Sequence, residues 1–117
     1  MSRIRHIALL ANDPAALAEF YLKTFGMREV GRQGDGTAIF ISDGHINLAL
    51  ITARGRPEGI FHFGFEVEDL EETAKVAVAG GATAPKRVPQ DGRFNEAFIT
   101  DPVGTRVDLS EAGWKMA

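Results

Sequence analysis

The chain has 117 residues, 44% of them hydrophobic and 25% charged, which suits one globular domain and excludes wholesale disorder or collagen-like structure. Thirteen Lys and Arg stand against 16 Asp and Glu, a net charge of −3 with no run of five like charges, so no basic stripe is offered to nucleic acid or an anionic membrane. No cysteine occurs, which removes disulfides, thiolate catalysis and Cys-ligated zinc, and the apolar runs fall far short of the ~20 residues that span a bilayer.

The chain starts Met1-Ser2-Arg3-Ile4 with no signal-peptide core, so the cytoplasm is the expected compartment. The first hydrophobic segment, Ile4-Arg5-His6-Ile7-Ala8-Leu9, reads as a strand bearing one His. Asp13 then offers a carboxylate to the free backbone N–H groups of a helix start, and Pro14 loses no needed donor at the first helical position. Leu17, Phe20, Tyr21 and Thr24 recur at helical spacing and Gly26 supplies the stop, so a helix is expected over 14–24 with Phe20 and Tyr21 in the core. Strands follow at about 27–33, 37–42 and 45–52, separated by Gly34-Asp35-Gly36 and by the hairpin signal Asp43-Gly44. The Gly34–Gly36 turn is no phosphate loop, because it lacks the Lys-Ser/Thr and does not open a helix.

A turn-rich linker over 53–59 separates this module, about 3–52, from a second over about 60–110, leaving a tail over 111–117. The second module repeats the first. Ile60-Phe61-His62-Phe63-Gly64-Phe65 is again a strand with one His, 56 residues after His6. Asp69 lies 56 residues after Asp13, and Asp69-Leu70-Glu71-Glu72 resembles a capping box ahead of a helix over 70–79 with a thin stripe of Ala74, Ala77 and Val78. Strands are expected at 82–88, 94–100 and 105–110, with turns at Pro89-Gln90-Asp91-Gly92 and Asp101-Pro102-Val103-Gly104. Phe40-Ile41-Ser42-Asp43 matches Phe98-Ile99-Thr100-Asp101 at an offset of 58, and Leu48-Ala49-Leu50 matches Val107-Asp108-Leu109 at 59. Each half therefore reads βαβββ, and the chain as one α+β domain. Alternation puts Val107 and Leu109 toward the helix and Asp108 with Arg106 and Ser110 on the other face. His6 lies with Ile4, Ala8 and Leu10, and His62 with Ile60, Gly64 and Glu66.

Four motifs in this duplicated frame carry a resemblance: Ile4-Arg5-His6-Ile7; Phe20-Tyr21 with Phe25-Gly26-Met27; His62-Phe63-Gly64-Phe65; and Asp101-Pro102-Val103-Gly104-Thr105-Arg106-Val107-Asp108-Leu109. In order, they resemble the vicinal-oxygen-chelate superfamily of glyoxalase I, bleomycin-resistance proteins, fosfomycin-resistance thiol transferases and extradiol dioxygenases. The resemblance implies two tandem βαβββ modules whose curved mixed sheet forms a cup, with helices on the outer face, in a homodimer. It also implies metal ligands on the first and last strand of each module. His6 and His62 fill the first-strand positions, and Asp108 fills the last-strand position of the second module, where the family usually has Glu. Ala49 fills the same position in the first module and cannot bind metal, so the carboxylate that glyoxalase I uses there is missing.

Two His and one carboxylate form the donor set of a facial Fe(II) site, with Mn(II) also suited and Zn or Ni further options. The expected function is a small divalent-metal enzyme acting on a small substrate with vicinal oxygens, by ring-opening dioxygenation or by Lewis-acid addition or isomerisation. The competing reading is a metal-free small-molecule binding protein of the bleomycin-resistance type, with the histidines hydrogen-bonded and Asp108 paired to Arg106. Fosfomycin-type thiol transfer is a third, weakened because Phe98 stands where that family has Tyr. Glu66, on the His62 face, is the candidate catalytic base, with an ion-paired surface carboxylate as its alternative. Asn47, on the Ala49 face, is a candidate hydrogen-bond donor to substrate. His45 reads as an exposed turn residue. Arg93, Phe94 and Asn95 are candidate substrate contacts, and Trp114 a rim or subunit contact.

Overall fold

The computed structural model describes residues 2–87 and 96–111, with the side chain of Arg87 outside that description. Arg93, Phe94, Asn95, Trp114 and the turn at 89–92 therefore lie outside the described residues. The elements are β1 (Arg3–Ala11), α1 (Pro14–Phe25), β2 (Arg28–Gln33), β3 (Ala38–Ser42) and β4 (Asn47–Thr52), then β5 (Gly59–Glu66), α2 (Leu70–Ala79), β6 (Lys86–Arg87), β7 (Glu96–Thr100) and β8 (Arg106–Ser110). This is an α+β chain that runs βαβββ twice. No described helix is long and apolar enough to cross a membrane. The chain divides into two compact units, residues 6–61 on one side and residues 2–5 with 62–111 on the other, and each is taken by itself.

In the first unit β1 runs parallel to β4, with His6 opposite Asn47 and Ala8 opposite Ala49. The helical crossover allows this pairing, because parallel neighbours cannot be joined by a tight hairpin. β4 and β3 are antiparallel, as are β3 and β2, where the register shifts between Glu29 and Gly31. One sheet face, carrying Leu9, Ile39, Ile41 and Leu50, packs against Ala18, Leu17, Tyr21 and Leu22 of α1. The Asp13 carboxylate caps that helix by accepting from the Ala16 N–H at 3.1 Å. Gly26 ends it at φ 68°, a left-handed conformation that costs Gly least, and its N–H bonds to the Leu22 carbonyl.

Phe20 corrects one expectation. It is 53% exposed rather than core, and rests edge-on against Tyr21. At 100° per residue it sits 200° from both Ala18 and Leu22, which face the sheet. β4 starts at Asn47 rather than 45. The Asp43 carboxylate accepts the His45 and Ile46 N–H groups at 2.8 and 2.9 Å, and this Asx turn holds both residues out of the ladder. His45 is exposed in that turn.

In the second unit β5 runs parallel to β8, with Gly64 opposite Asp108. β8 and β7 are antiparallel, with Phe98 opposite Asp108 and Glu96 opposite Ser110, and β7 pairs with β6. Val107, Leu109, Ala97 and Ile99 form the core with Leu70 of α2 and Val67. Asp69 caps α2 through the Glu72 N–H at 3.0 Å. The buried stripe of α2 is Leu70 and Ala74 with Ala77 packed beside them, a spacing of four and three. Val78, expected on that stripe, is 44% exposed, because at 100° per residue it sits about 80° around the helix from Leu70 where Ala77 sits about 20° from it. Of the strand expected over 82–88, residue 88 lies outside the described residues and the rest shows strand only at Lys86–Arg87, although Thr83 still bonds the backbone of Thr100 through its N–H and its side-chain oxygen.

Candidate functional site

Strand alternation leaves each unit with one face against its helix and one face bearing polar side chains. In the second unit that face carries His62, Gly64 and Glu66 from β5, Arg106, Asp108 and Ser110 from β8, and Glu96 and Phe98 from β7. His62, Asp108, Ser110 and Glu96 are all buried. Polar groups at this depth need partners, since an unpaired buried charge is strongly disfavoured.

Asp108 is the hub. Its Oδ2 lies 3.2 Å from His62 Nε2. Arg106 donates from Nε to Oδ1 at 2.9 Å and from Nη2 to Oδ2 at 3.4 Å. The guanidinium lies over the Phe98 ring, 4.2 Å from its centroid, so the cation is steadied by the aromatic face. Burial opposes the charge on Asp108, but hydrogen bonds from His62 and Arg106 outweigh it and hold the carboxyl at about 2. Glu96 behaves in the opposite way. Burial, then its hydrogen bond to Asp108 and the charge there, push its carboxyl up to about 8, with Arg106 opposing. The two acids are driven apart as neighbouring carboxyl groups in a dry site are, one ionised and one protonated near neutral pH.

Glu66 occupies the outer end of the same face and is ion-paired with Arg5, Nε to Oε1 at 3.2 Å. Its side chain is 40% exposed, so this contact is screened by solvent.

In the first unit the corresponding face carries His6, Asn47 and Ala49, all buried, with Ser42 opposite Asn47 across the next pairing. Ser42 Oγ donates to the Ile46 carbonyl at 3.0 Å and accepts the Gly44 N–H at 2.9 Å, which closes the turn that delivers Asn47 to its strand. Ala49 offers no donor atom at the last-strand position.

The second unit therefore brings together His62 and Asp108 and joins to them Arg106, which the sequence suggested only as a competing partner. Sequence reading missed Glu96. The available signal was the alternation of β7, which puts an acid two residues before Phe98 on the face opposite Ala97 and Ile99. The donor set suits a divalent ion. Two ligand atoms ~2.0–2.2 Å from a common ion, at tetrahedral or octahedral angles, stand about 3 Å apart. His62 Nε2 and Asp108 Oδ2 already hold that spacing.

The fold is that of several solved proteins. A hypothetical protein from Bacillus halodurans C-125 superposes with a TM-score of 0.78 at 17% identity, over 99% of this chain and 98% of that one. Methylmalonyl-CoA epimerase from Mycobacterium tuberculosis gives 0.72 at 16% identity, over 92% and 85%. A 2,3-dioxygenase from Pseudomonas sp. KL28 gives 0.72 at 24% identity, over 92% of this chain but 40% of that longer one. No curated protein matches in sequence. Residues 3–109 match the family model of the glyoxalase, bleomycin resistance protein and dioxygenase superfamily, a span that takes in both βαβββ modules and every ligand candidate. The chain belongs to the Glyoxalase/Bleomycin resistance protein/Dioxygenase superfamily.

Proposed function

We propose that the chain is a small metal-dependent enzyme that acts on a small molecule presenting two vicinal oxygens. His6, His62 and Asp108 supply the ligands of one divalent ion, Fe(II) or Mn(II) first and Zn or Ni next. The observation that carries this reading is the pair His62 Nε2 and Asp108 Oδ2, buried and 3.2 Å apart. His6 supports it as the equivalent residue of the repeated strand, buried on the polar face of its own unit. When bound, such an ion polarises the substrate oxygens and stabilises negative charge that develops on them.

The protein groups then have distinct tasks. Asp108 remains ionised and keeps the donor oxygen beside His62. Arg106 fixes the other oxygen of that carboxylate. Glu66 is assigned proton transfer, with Arg5 setting its direction, so Glu66→Gln should lower turnover and leave metal uptake intact. The buried apolar layer behind the face excludes water and stiffens the ligand strands. We further propose a homodimer. Among the described residues, β2 pairs only with β3 and β6 only with β7, and exposed strand edges are commonly covered by a partner. A monomer by light scattering at micromolar concentration removes that part.

A second reading rests on a specific contact. Arg106 engages both oxygens of Asp108 through two hydrogen bonds, and a carboxylate paired in this way suits a metal-free binding protein. Reconstitution with Fe(II), Mn(II), Ni(II) and Zn(II), followed by elemental analysis, separates the two. Stoichiometric metal in the wild type and its loss in His62→Ala support the enzyme. No metal from any of the four leaves the binding protein.

A further inference from the structure

Arg106 enters the metal-site reading only as an anchor, yet its placement carries more. Its guanidinium lies over the Phe98 ring and shares a sheet face with His62 and Asp108. Nη2 is 3.4 Å from Asp108 Oδ2, the same oxygen that lies 3.2 Å from His62 Nε2. An ion taking a lone pair of Oδ2 would thus have a permanent cation as its neighbour, since Arg does not lose its proton in proteins.

Among the described residues, the charges on this face can be counted. Asp108 contributes −1 and Arg106 +1. A divalent ion adds +2, and His ligands bind it in the neutral form. Arg5 and Glu66 cancel as an ion pair. The sum is +2 with Glu96 protonated and still +1 with Glu96 ionised. A buried site with excess positive charge is strongly unfavourable unless a ligand brings the opposite charge.

We propose that Arg106 is a specificity-determining residue that makes the site selective for an anionic chelator, a 2-hydroxy or 2-oxo carboxylate whose charge lies beside its vicinal oxygens. This rests on the metal-site reading and names the substrate class of that site. The ion accepts the two vicinal oxygens, and the guanidinium, already planar and oriented, makes charge-assisted hydrogen bonds to the carboxylate. A neutral chelator of the same shape meets the ion but gives Arg106 no anion.

Lactate and lactamide form the discriminating probe pair, nearly equal in shape and different by one charge. Mn(II) uptake is measured first, in wild type, Arg106→Leu and Arg106→Lys. Lactate and lactamide are then titrated into each Mn(II)-loaded protein and followed by water-proton relaxation. Wild type is expected to prefer lactate. Arg106→Leu, once loaded with Mn(II), should bind lactate about tenfold or more weakly than wild type, with a far smaller change for lactamide. Arg106→Lys should recover part of the lactate preference. Equal lactate affinity in wild type and Arg106→Leu overturns the inference while the metal site stands. Loss of Mn(II) from both variants also overturns it, because Arg106 then serves only to hold Asp108. If wild type takes up none of the four metals, the metal-site reading itself fails, before any lactate is added, and the inference falls with it.

Discussion

The Glu96 carboxyl hydrogen-bonds the Asp108 carboxylate from the neighbouring strand, so two acids meet on one buried face. Two carboxyl groups can share such a bond only when one carries the proton, and here it is Glu96, pushed up to about 8 by burial and by Asp108. The folded state therefore holds a proton on Glu96 that the unfolded chain releases near its ordinary value of 4.5. Stability from this group is full below that value and falls as pH rises toward 8. Gln cannot ionise and can still donate to Asp108. Glu96→Gln should match wild type at pH 4 and exceed it by a few kcal/mol, about 5 at most, at pH 9, since each tenfold change in proton affinity is worth ~1.4 kcal/mol. Urea unfolding at the two pH values checks this. Equal differences at both would show that Glu96 does not titrate across that window.

Asp108 has the opposite sign. Its carboxyl is held at about 2, below the ordinary 3.8, despite the burial that opposes its charge, because His62 and Arg106 bond its ionised form. The stability this contributes is present above 3.8 and is lost as pH falls through about 2. Asp108→Asn should remove the part of acid destabilisation that appears below pH 4. Unfolding midpoints of the two proteins should converge as the pH is lowered.

The caps test how far local chemistry carries the fold. Asp13 and Asp69 accept the Ala16 and Glu72 N–H groups at 3.1 and 3.0 Å, each three residues on. Asp13→Ala and Asp69→Ala should each destabilise by about 1 kcal/mol, the usual effect of losing such a cap. His45→Ala should fall within about 0.5 kcal/mol of wild type, since its exposed side chain lies in a turn organised by Asp43. Thermal unfolding reads all three. A loss near zero for both caps would mean that sheet packing alone sets these helix starts.

Those same residues show why much of the fold was legible. Asp13-Pro14, Asp69 and Gly26 act on their own neighbours, so their meaning survives in a bare sequence. The offsets of 56 between His6 and His62 and between Asp13 and Asp69 made the repeat visible. Alternation then placed Val107 and Leu109 in the core and Asp108 on the polar face. Phe20 and Val78 were misplaced because a helix stripe two residues wide cannot be phased by hydrophobicity alone when apolar residues also lie outside it. Glu96 was missed for a different reason. Its importance depends on which strand lies beside it, and the pairing of β7 with β8 brings it next to Asp108 only in three dimensions. Arg106 was seen as a partner of Asp108, but its place over the Phe98 ring needed that same pairing.

The length of the Asp108 side chain supplies the last prediction. The resemblance implies a Glu at this position, one methylene longer. Asp108 compensates through its setting, since His62 Nε2 is already within 3.2 Å of its carboxylate and Arg106 fixes the other oxygen. Asp108→Asn keeps the volume and an acceptor for Arg106 but removes the charge that a divalent ion needs. Its metal affinity should drop by at least about tenfold, the lower end of what even outlying partners of metal ligands contribute. Asp108→Glu restores the charge but places a larger group in a buried site, where one extra methylene typically costs about 1–3 kcal/mol. It should bind metal better than Asp108→Asn while unfolding at a lower temperature than wild type. Far-UV circular dichroism confirms the fold, and metal titration with thermal unfolding reads the rest. Asn and Asp proteins with equal metal affinity would remove Asp108 from the ligand set and leave it as the anchor of Arg106 and His62.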